Sequence, residues 1–548
     1  MVINQYSLIY YLIMHFYKKK SYKLSILLIL SVFLFSISIY QTQYFHWSAI
    51  LDQDIVLIYN SLLISSGVEQ EYRDHPAYTT FLIHGLLLKF FSFVNLGPVS
   101  NINDLIASTD PNTELQKLFF FCRNVNVAIN IFLVFFLYKL LIKLKCDELS
   151  AFLGCCILIV SGWFVESTFL IRSENLSIIF FLISSIYQIK FYEARRALFI
   201  IFSGFFFGVA MLTKIQIIFL FIFPIFINLI YLNQYIKKNL IKKFTNSYDF
   251  ILFISYFLII ILYLILQLKL QTFERFEKIK YLDLILFSIF NIFFLFLILI
   301  INNFNFKKIK LFFVFMSLYF IGFGISVFFV LFFDFINLVE LNHYILFRLT
   351  NPFHYMIEFH VGDFPGLYDN AKVNLDYFIN LFLIAIKKYD YNFLKIFILF
   401  LITILSTRNT ILSKSEDNSH IYIKNIAIFM SILSLIYILN LRGFIYYYET
   451  LVVAPYIIAI SYLLKNFSKR LTVIVYSFLI LYFAYCNFFL MEKRKDVFNF
   501  YFSSQSSLHL ICDEDEIFYS DNSYRFFMEY YHHRFNDKFF NKLCLKSL

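Results

Sequence analysis

Residues 47–85, WSAILDQDIVLIYNSLLISSGVEQEYRDHPAYTTFLIHG, follow the first long apolar segment and hold a dense group of charged and histidine side chains. A chain that crosses a membrane repeatedly has little reason to concentrate such groups in its first loop unless that loop has a function. We therefore expect this loop to carry the chemistry. The group comprises Asp52, Asp54, Glu69, Glu71, Arg73, Asp74, His75 and His84.

The composition on both sides of this loop predicts an integral membrane protein. The 548 residues are 60% hydrophobic, with a mean hydropathy of +0.72. Apolar runs long enough for a helix to cross about 30 Å of hydrocarbon recur along the chain. Strands of a membrane barrel would alternate in polarity, whereas these runs are apolar on every face. The predicted fold class is therefore an all-α polytopic membrane protein.

The basic residues predict an orientation rather than a polyanionic partner. The formal net charge is +11, but the basic residues cluster between apolar runs, as the positive-inside rule requires. We therefore expect no nucleic acid partner, and we place the basic clusters on the cytoplasmic side. These clusters are Lys18–Lys20, Lys237–Lys243, Lys307–Lys310 and Lys465–Arg470.

Alternation of apolar runs and basic loops predicts about thirteen spans, with the N-terminus inside and the C-terminus outside. Residues 1–21 are a cytoplasmic lead, 22–490 a transmembrane domain, and 491–548 a small α/β tail outside. The outer loop 41–118 includes a predicted helix, Tyr78–Val94, lying on or dipping into the membrane, and a late outer loop occupies 334–391. Among the spans are 22–40, 119–142, 149–166, 168–189, 196–213, 216–235, 311–333, 392–406, 450–464 and 471–490.

Asp52 and Asp54 stand just beyond the first span. Two carboxylates separated by one residue can ligate a divalent cation, or one can act as a base while the other supports it. They can equally be solvated loop acids beside a helix N-terminus, where negative charge is favoured. Asp74, His75 and Pro76 form a turn before the predicted helix, and His75 is a candidate ligand-binding side chain.

Two ionisable residues fall within or at the ends of predicted spans. Glu174 lies one turn into the span 168–189, where a carboxylate is expected to face the bundle interior or a structural partner such as Arg172. Lys214 ends the span 196–213 on the outer side, away from the basic clusters. It is either an interfacial lysine reaching towards the headgroups or a cation that binds a phosphate.

Taken in order, several short stretches resemble the GT-C superfamily of integral-membrane glycosyltransferases. The nearest branch is that of the protein O-mannosyltransferases and the lipid A aminoarabinose transferases. The chain differs from that branch in having DQD in place of the commoner Asp-Glu pair and in lacking a second proline after His75-Pro76. The stretches are LDQDIVLIYN, YRDHPAYTTFLIHG, FFFCRNVNVAIN, IRSENLS, GVAMLTKIQ and RGFIYYYETLVVAPY.

The resemblance implies an inverting transfer of a sugar from a polyprenyl-phosphate donor to a glycan, lipid or protein acceptor at the outer face. It implies Asp52, or else Asp54, as the general base. Members of this branch need no metal, so no cofactor is expected, although distant members use a divalent cation. The implied phosphate-binding cations are Lys214, Arg123 and Arg442, and the residues implied to shape the pocket are His75, Asp74 and Glu174.

Other function classes stay open at this point. A polysaccharide polymerase or ligase is also polytopic and carries a large outer loop late in the chain, as 334–391 is here. A transporter of lipid-linked sugars would need a continuous polar path through the spans. A non-catalytic scaffold would not need the loop carboxylates. The predicted location is the membrane of the cell envelope, namely a bacterial inner or plasma membrane, with the site on the extracytoplasmic side.

Overall fold

A computed structural model describes part of the chain, and its described residues form helices and turns with no β-strand among them. The all-α prediction is therefore confirmed for those residues. They are residues 26–27, 29, 31–32, 56–68, 77–162, 164, 167, 170–194, 196–221, 223–224, 227–228, 254–262, 265, 306–338, 390–412, 428–429, 432–433, 445–465 and 467–493.

The helices are numbered here in chain order. A 3₁₀ segment, Ile215–Phe221, follows α7. The helix bounds are α1 Val56–Ser65, α2 Tyr78–Phe93, α3 Ile102–Ala107, α4 Pro111–Lys143, α5 Glu148–Val160, α6 Ser173–Ala194, α7 Ala197–Thr213, α8 Phe306–Leu338, α9 Asp390–Leu412, α10 Ile445–Leu464 and α11 Lys469–Lys493.

Four of these helices contain a segment long and apolar enough to cross a membrane. This finding among the described residues supports a membrane protein whose spans are helical. α2, α5, α7 and the Leu451–Leu464 part of α10 are apolar but shorter. The four segments are Pro111–Lys143, Ser173–Ala194, Lys310–Val330 and Lys469–Cys486.

The third predicted span ends, and the fourth predicted span begins, at a different residue than expected. α5 starts after Asp147, whose carboxylate accepts a hydrogen bond from the Ser150 N–H, and it stops at Val160. α6 starts at Ser173, whereas the apolar pattern placed the fourth span from residue 168. Residues 170–172, just before α6, are not helical, and an apolar run continues through such a break as readily as through a helix, so hydropathy alone misplaced this boundary. Glu174 is consequently the second residue of its helix.

Helices α6 and α7 form a hairpin, because only two residues separate Ala194 from Ala197. The first turn of α6 therefore lies at the same end as the last turn of α7. α7 also packs very closely on α8: a Cβ added to Gly204 would lie 1.8 Å from the Tyr319 carbonyl oxygen, and one added to Gly322 would lie 1.9 Å from that of Ile201. Glycines allow this approach of two backbones, as in GxxxG helix pairs.

The segment predicted as the first outer loop contributes to a small core of its own, called the loop core. The predicted helix at 78–94 is present as α2, and it packs on α1, a helix that the sequence had not indicated. Gly85 permits this contact, since a Cβ there would lie 2.7 Å from the Ser61 carbonyl oxygen. The buried side chains of this core come from α1 to α4 and from Ile171, next to the start of α6.

Several predictions fall outside the described residues. They concern most of the first span 22–40, the loop between α8 and α9 (339–389), and the tail from residue 494 onward. The late outer loop predicted as 334–391 starts inside α8, which runs to Leu338, and ends inside α9, which starts at Asp390.

Candidate functional site

The end of the α6–α7 hairpin buries an ion pair between two predicted site residues. Lys214 Nζ lies 2.9 Å from Glu174 Oε1, and the two side chains are 5% and 1% exposed. Lys214 caps α7 with extended backbone, and its N–H donates to the Ala210 carbonyl oxygen. Glu174 sits in the first turn of α6, where the helix dipole favours a negative charge.

This pairing decides between alternatives that the sequence left open. Among the described residues Lys214, forty positions away, forms a salt bridge with Glu174, in addition to the interaction with the neighbouring Arg172 that the sequence suggested. Lys214 is also buried in the helix bundle, so it is not an interfacial lysine reaching towards the headgroups. A carboxylate and an ammonium buried together in an apolar bundle are costly to desolvate, so such a pair is usually kept for a function.

Two further buried cations lie beside α6 and on α4. Arg172 directly precedes α6, is buried, and interacts electrostatically with Glu174. Arg123 on α4 is fully buried, with its guanidinium carbon 5.7 Å from the centre of the Phe119 ring. Phe119 belongs to the loop core, so Arg123 lies where that core meets the helix bundle. Arginine keeps its charge when buried, because its side chain is not deprotonated in proteins.

Asparagines on α4 and α6 hold the connection before α6 in place. The Asn126 amide donates to the carbonyl oxygens of Ser167 and Leu170, and the Asn130 amide donates to that of Ser167. The Asn175 amide donates to Asn130 Oδ1 at 2.5 Å and to Ser167 Oγ at 2.6 Å. Asn175 follows Glu174 in sequence, and Asn126 lies one turn beyond Arg123 on α4. This network therefore ties the positions of the buried charges to one another.

The other end of the bundle is marked by a second, partly exposed ion pair. Lys143 Nζ near the end of α4 lies 2.6 Å from Glu193 Oε2 near the end of α6. The beginning of α6, with Glu174, is therefore at the opposite end of that helix from the basic residues Lys143 and Lys145. The buried charges lie at one end of the bundle, and Lys143 and Lys145 lie at the other.

Two buried polar residues escaped the sequence analysis as site candidates. His84 on α2 shares one helix face with Phe81 and Leu88; its Nδ1 lies 3.0 Å from the Thr80 carbonyl oxygen, and its Nε2 has no hydrogen-bond partner among the described residues. Gln216 follows Lys214 on the 3₁₀ segment and is also buried. The sequence held a signal for each residue. His84 stands at helical spacing from Phe81 and Leu88, and Gln216 lies two residues after the candidate Lys214.

Five of the predicted site residues lie outside the described residues. Among those that are described, no group of three or more histidine, cysteine, aspartate or glutamate side chains is arranged to hold a metal ion. Glu174 and Lys214 are therefore brought together by the structure, and Arg123 is placed on a helix that contacts α6. The five outside are Asp52, Asp54, Asp74, His75 and Arg442.

Comparison with known proteins adds no family to these observations. No protein-family model, no curated protein and no solved structure matches the chain significantly. What the site does is inferred from its own side chains.

Proposed function

We propose that this protein is a glycosyltransferase that moves a sugar from a polyprenyl-phosphate donor to an acceptor at the outer membrane face. The observation that carries the proposal is the buried Lys214–Glu174 pair at the end of the α6–α7 hairpin. A lysine buried at the end of an apolar helix, paired with a carboxylate that also interacts with Arg172, suits a phosphate attached to a lipid, because such a donor enters from the membrane. The family resemblance of the sequence supports the same assignment.

The proposed reaction is an inverting displacement at the anomeric carbon. The acceptor oxygen or nitrogen forms a bond to that carbon while the bond to the phosphate oxygen breaks, and the electron pair of the broken bond stays on the phosphate. The acceptor proton passes to the carboxylate of Asp52, with Asp54 as the alternative base. Lys214, Arg123 and Arg442 stabilise the charge that develops on the leaving phosphate. Asp74, His75 and Glu174 shape the pocket.

The proposed topology has about thirteen spans, with the N-terminus in the cytoplasm and the tail outside. The separation of the two ion pairs supports the direction given to α6 in this topology: the Lys143–Glu193 pair and Lys145 lie at one end of α6, and Glu174 lies at the other. With the basic end in the cytoplasm, the buried charges lie towards the outer face. A bacterial inner or plasma membrane, with polyprenyl-phosphate sugars available at that face, is the proposed location.

The polar side chains further along α6 have structural explanations, which disfavours a transport path. Ser184 donates to the Ser203 carbonyl oxygen, and Ser185 donates to that of Phe181. The Gln188 amide donates to the Pro224 carbonyl oxygen and to Asn228 Oδ1. The bonds of Ser184 and Gln188 join α6 to neighbouring segments, as interhelical hydrogen bonds do in membranes, while that of Ser185 stays within α6. A polymerase or ligase stays an alternative that differs in its acceptor.

The test is turnover of a lipid-linked sugar by purified protein in lipid vesicles. Release of free polyprenyl phosphate is followed with undecaprenyl-phosphate mannose, glucose and aminoarabinose as donors, each with candidate acceptors. Wild type is expected to release polyprenyl phosphate with one of these sugars. Asp52→Asn or Asp54→Asn is expected to lower the rate by about a hundredfold or more, the usual contribution of a general base.

Lys214→Ala is expected to weaken donor binding. Lys143→Ala is its matched control, because it also removes a lysine from a helix-end ion pair with a glutamate, but at the opposite end of α6. The control should leave donor binding unchanged. Sugar-dependent release that is identical in all four variants would refute the assigned roles, and no release or binding with any donor would refute the proposed function.

A further inference from the structure

Gln216 is a buried amide with no hydrogen bond. Its side chain is 1% exposed, and neither Oε1 nor Nε2 has a partner among the described residues. The free energy cost of leaving such a group buried without a partner is about 1–3 kcal/mol. Buried amides in native proteins are nearly always hydrogen-bonded, so an exception calls for an explanation such as a ligand.

Gln188 shows what a structural glutamine looks like in the same bundle. It is equally buried, and its Nε2 donates to the Pro224 carbonyl oxygen and to Asn228 Oδ1, while its Oε1 has no partner among the described residues. Asn228 Oδ1 in turn accepts from the Tyr192 hydroxyl at 2.6 Å. Gln188 thus joins α6 to the segment after the 3₁₀ turn. Gln216 makes no such connection.

The backbone position of Gln216 is close to the buried ion pair along the chain. It lies two residues beyond Lys214, on the 3₁₀ segment that contacts α6. Glu174 adds a carboxylate oxygen to these two amide atoms: Oε1 lies 2.9 Å from Lys214 Nζ, while Oε2 has no hydrogen-bond partner among the described residues. The segment and the first turn of α6 thus present two acceptors, Gln216 Oε1 and Glu174 Oε2, and one donor group, Gln216 Nε2.

We propose that Gln216 and Glu174 bind hydroxyl groups of the sugar that is transferred, while Lys214 binds the phosphate. This inference rests on the proposed function and names the residues that recognise the sugar. A hydroxyl both donates and accepts, so two neighbouring hydroxyls on a sugar ring satisfy the carboxylate oxygen and both ends of the amide. A buried site built to hydrogen-bond hydroxyls rejects ligands that lack them, because its polar groups then stay without partners.

The buried carboxylate also sets the charge of the sugar. A uronic acid would bring a second carboxylate next to Glu174, and like charges in a buried site repel strongly. The donor class is therefore a polyprenyl phosphate that carries an uncharged or amino sugar with free hydroxyls. Polyprenyl-phosphate glucuronic acid is excluded.

The experiment compares the affinity of the full-length protein for undecaprenyl phosphate with and without a sugar. The probes are bare undecaprenyl phosphate and its mannose, aminoarabinose and glucuronic acid derivatives. Gln216→Met keeps the length of the side chain and removes the amide, and Gln188→Met is the matched control. Wild type is expected to bind either the mannose or the aminoarabinose derivative more tightly than bare undecaprenyl phosphate. It should bind the glucuronic acid derivative no more tightly than bare undecaprenyl phosphate.

Gln216→Met should reduce that sugar-dependent gain roughly tenfold and leave affinity for the bare lipid phosphate unchanged. Its thermal unfolding temperature should equal or exceed that of wild type, because no hydrogen bond is lost. Gln188→Met should lower the unfolding temperature and keep the sugar-dependent gain. A wild type that binds no probe refutes the proposed function itself. Three results for Gln216→Met would each overturn the role of Gln216. They are a sugar-dependent gain in affinity that survives, an equal loss of affinity for all lipids, and a destabilisation as large as that of Gln188→Met.

Discussion

The close contact between α7 and α8 makes a prediction that the structure quantifies. In Gly204→Ala the new Cβ would lie 1.8 Å from the Tyr319 carbonyl oxygen and 2.7 Å from its carbonyl carbon. Ordinary contact begins at 3.4 Å, so the two helices would have to separate by the difference between 3.4 Å and 1.8 Å, about 1.6 Å. The obstructing atoms are backbone, so no side-chain rotation relieves the clash.

The expected free energy cost follows from this geometry. Overpacking typically costs about 1–3 kcal/mol, and a clash with backbone belongs at the upper end. Alanine regains about 1 kcal/mol of helix propensity over glycine. Gly204→Ala should therefore lower the free energy of unfolding by about 2 kcal/mol. Gly322→Ala should do the same, since its Cβ would lie 1.9 Å from the Ile201 carbonyl oxygen.

Gly324→Ala is the matched control on the same helix. A Cβ at Gly324 would meet no atom within 4 Å, so this substitution should be neutral or stabilise by up to about 1 kcal/mol. The assay is equilibrium unfolding of the purified protein in detergent or bicelles, compared across the three alanine variants. Equal stability of Gly204→Ala and Gly324→Ala would refute the close packing of α7 on α8.

Three further predictions concern the charges and caps. Glu174→Gln should lower the free energy of unfolding by about 3–5 kcal/mol, because it leaves the charge of Lys214 buried without an opposite charge. The double variant Glu174→Gln with Lys214→Met should restore part of this loss in equilibrium unfolding. If the effects of the two substitutions were additive, the pairing would be contradicted. Asn175→Ala should cost about 1–3 kcal/mol and weaken donor binding, because its hydrogen bonds position Glu174; unchanged stability would contradict the network. Hydrogen bonds from Thr113 hold the pKa of Asp110 below its ordinary value of 3.8. The ionised Asp110 therefore stabilises α4 above about pH 4, and this stabilisation is lost as the pH falls through the pKa of the folded state. Asp110→Asn should flatten the pH dependence of unfolding in that acidic range, whereas an unchanged profile would show that Asp110 contributes nothing.

The sequence predicted those features that depend on neighbouring residues along the chain. The apolar run 196–213 became α7, Ala197–Thr213, because a continuous run flanked by Arg196 and Lys214 leaves few alternative helix bounds. The predicted helix in the first outer loop is present as α2 for the same local reason. The fourth span was misplaced because hydropathy does not reveal the break in helical structure at residues 170–172, just before α6 begins at Ser173.

What joins distant parts of the chain was decided by the tertiary structure. The spacing GFFFG at 204–208 shows in the sequence that α7 can approach another helix closely, but nothing local indicates Gly322 as the partner. Likewise, the sequence marked Glu174 and Lys214 as separate charges in costly places. Only the α6–α7 hairpin brings them to 2.9 Å, because the fold, and not distance along the chain, determines which charges share a low-dielectric interior.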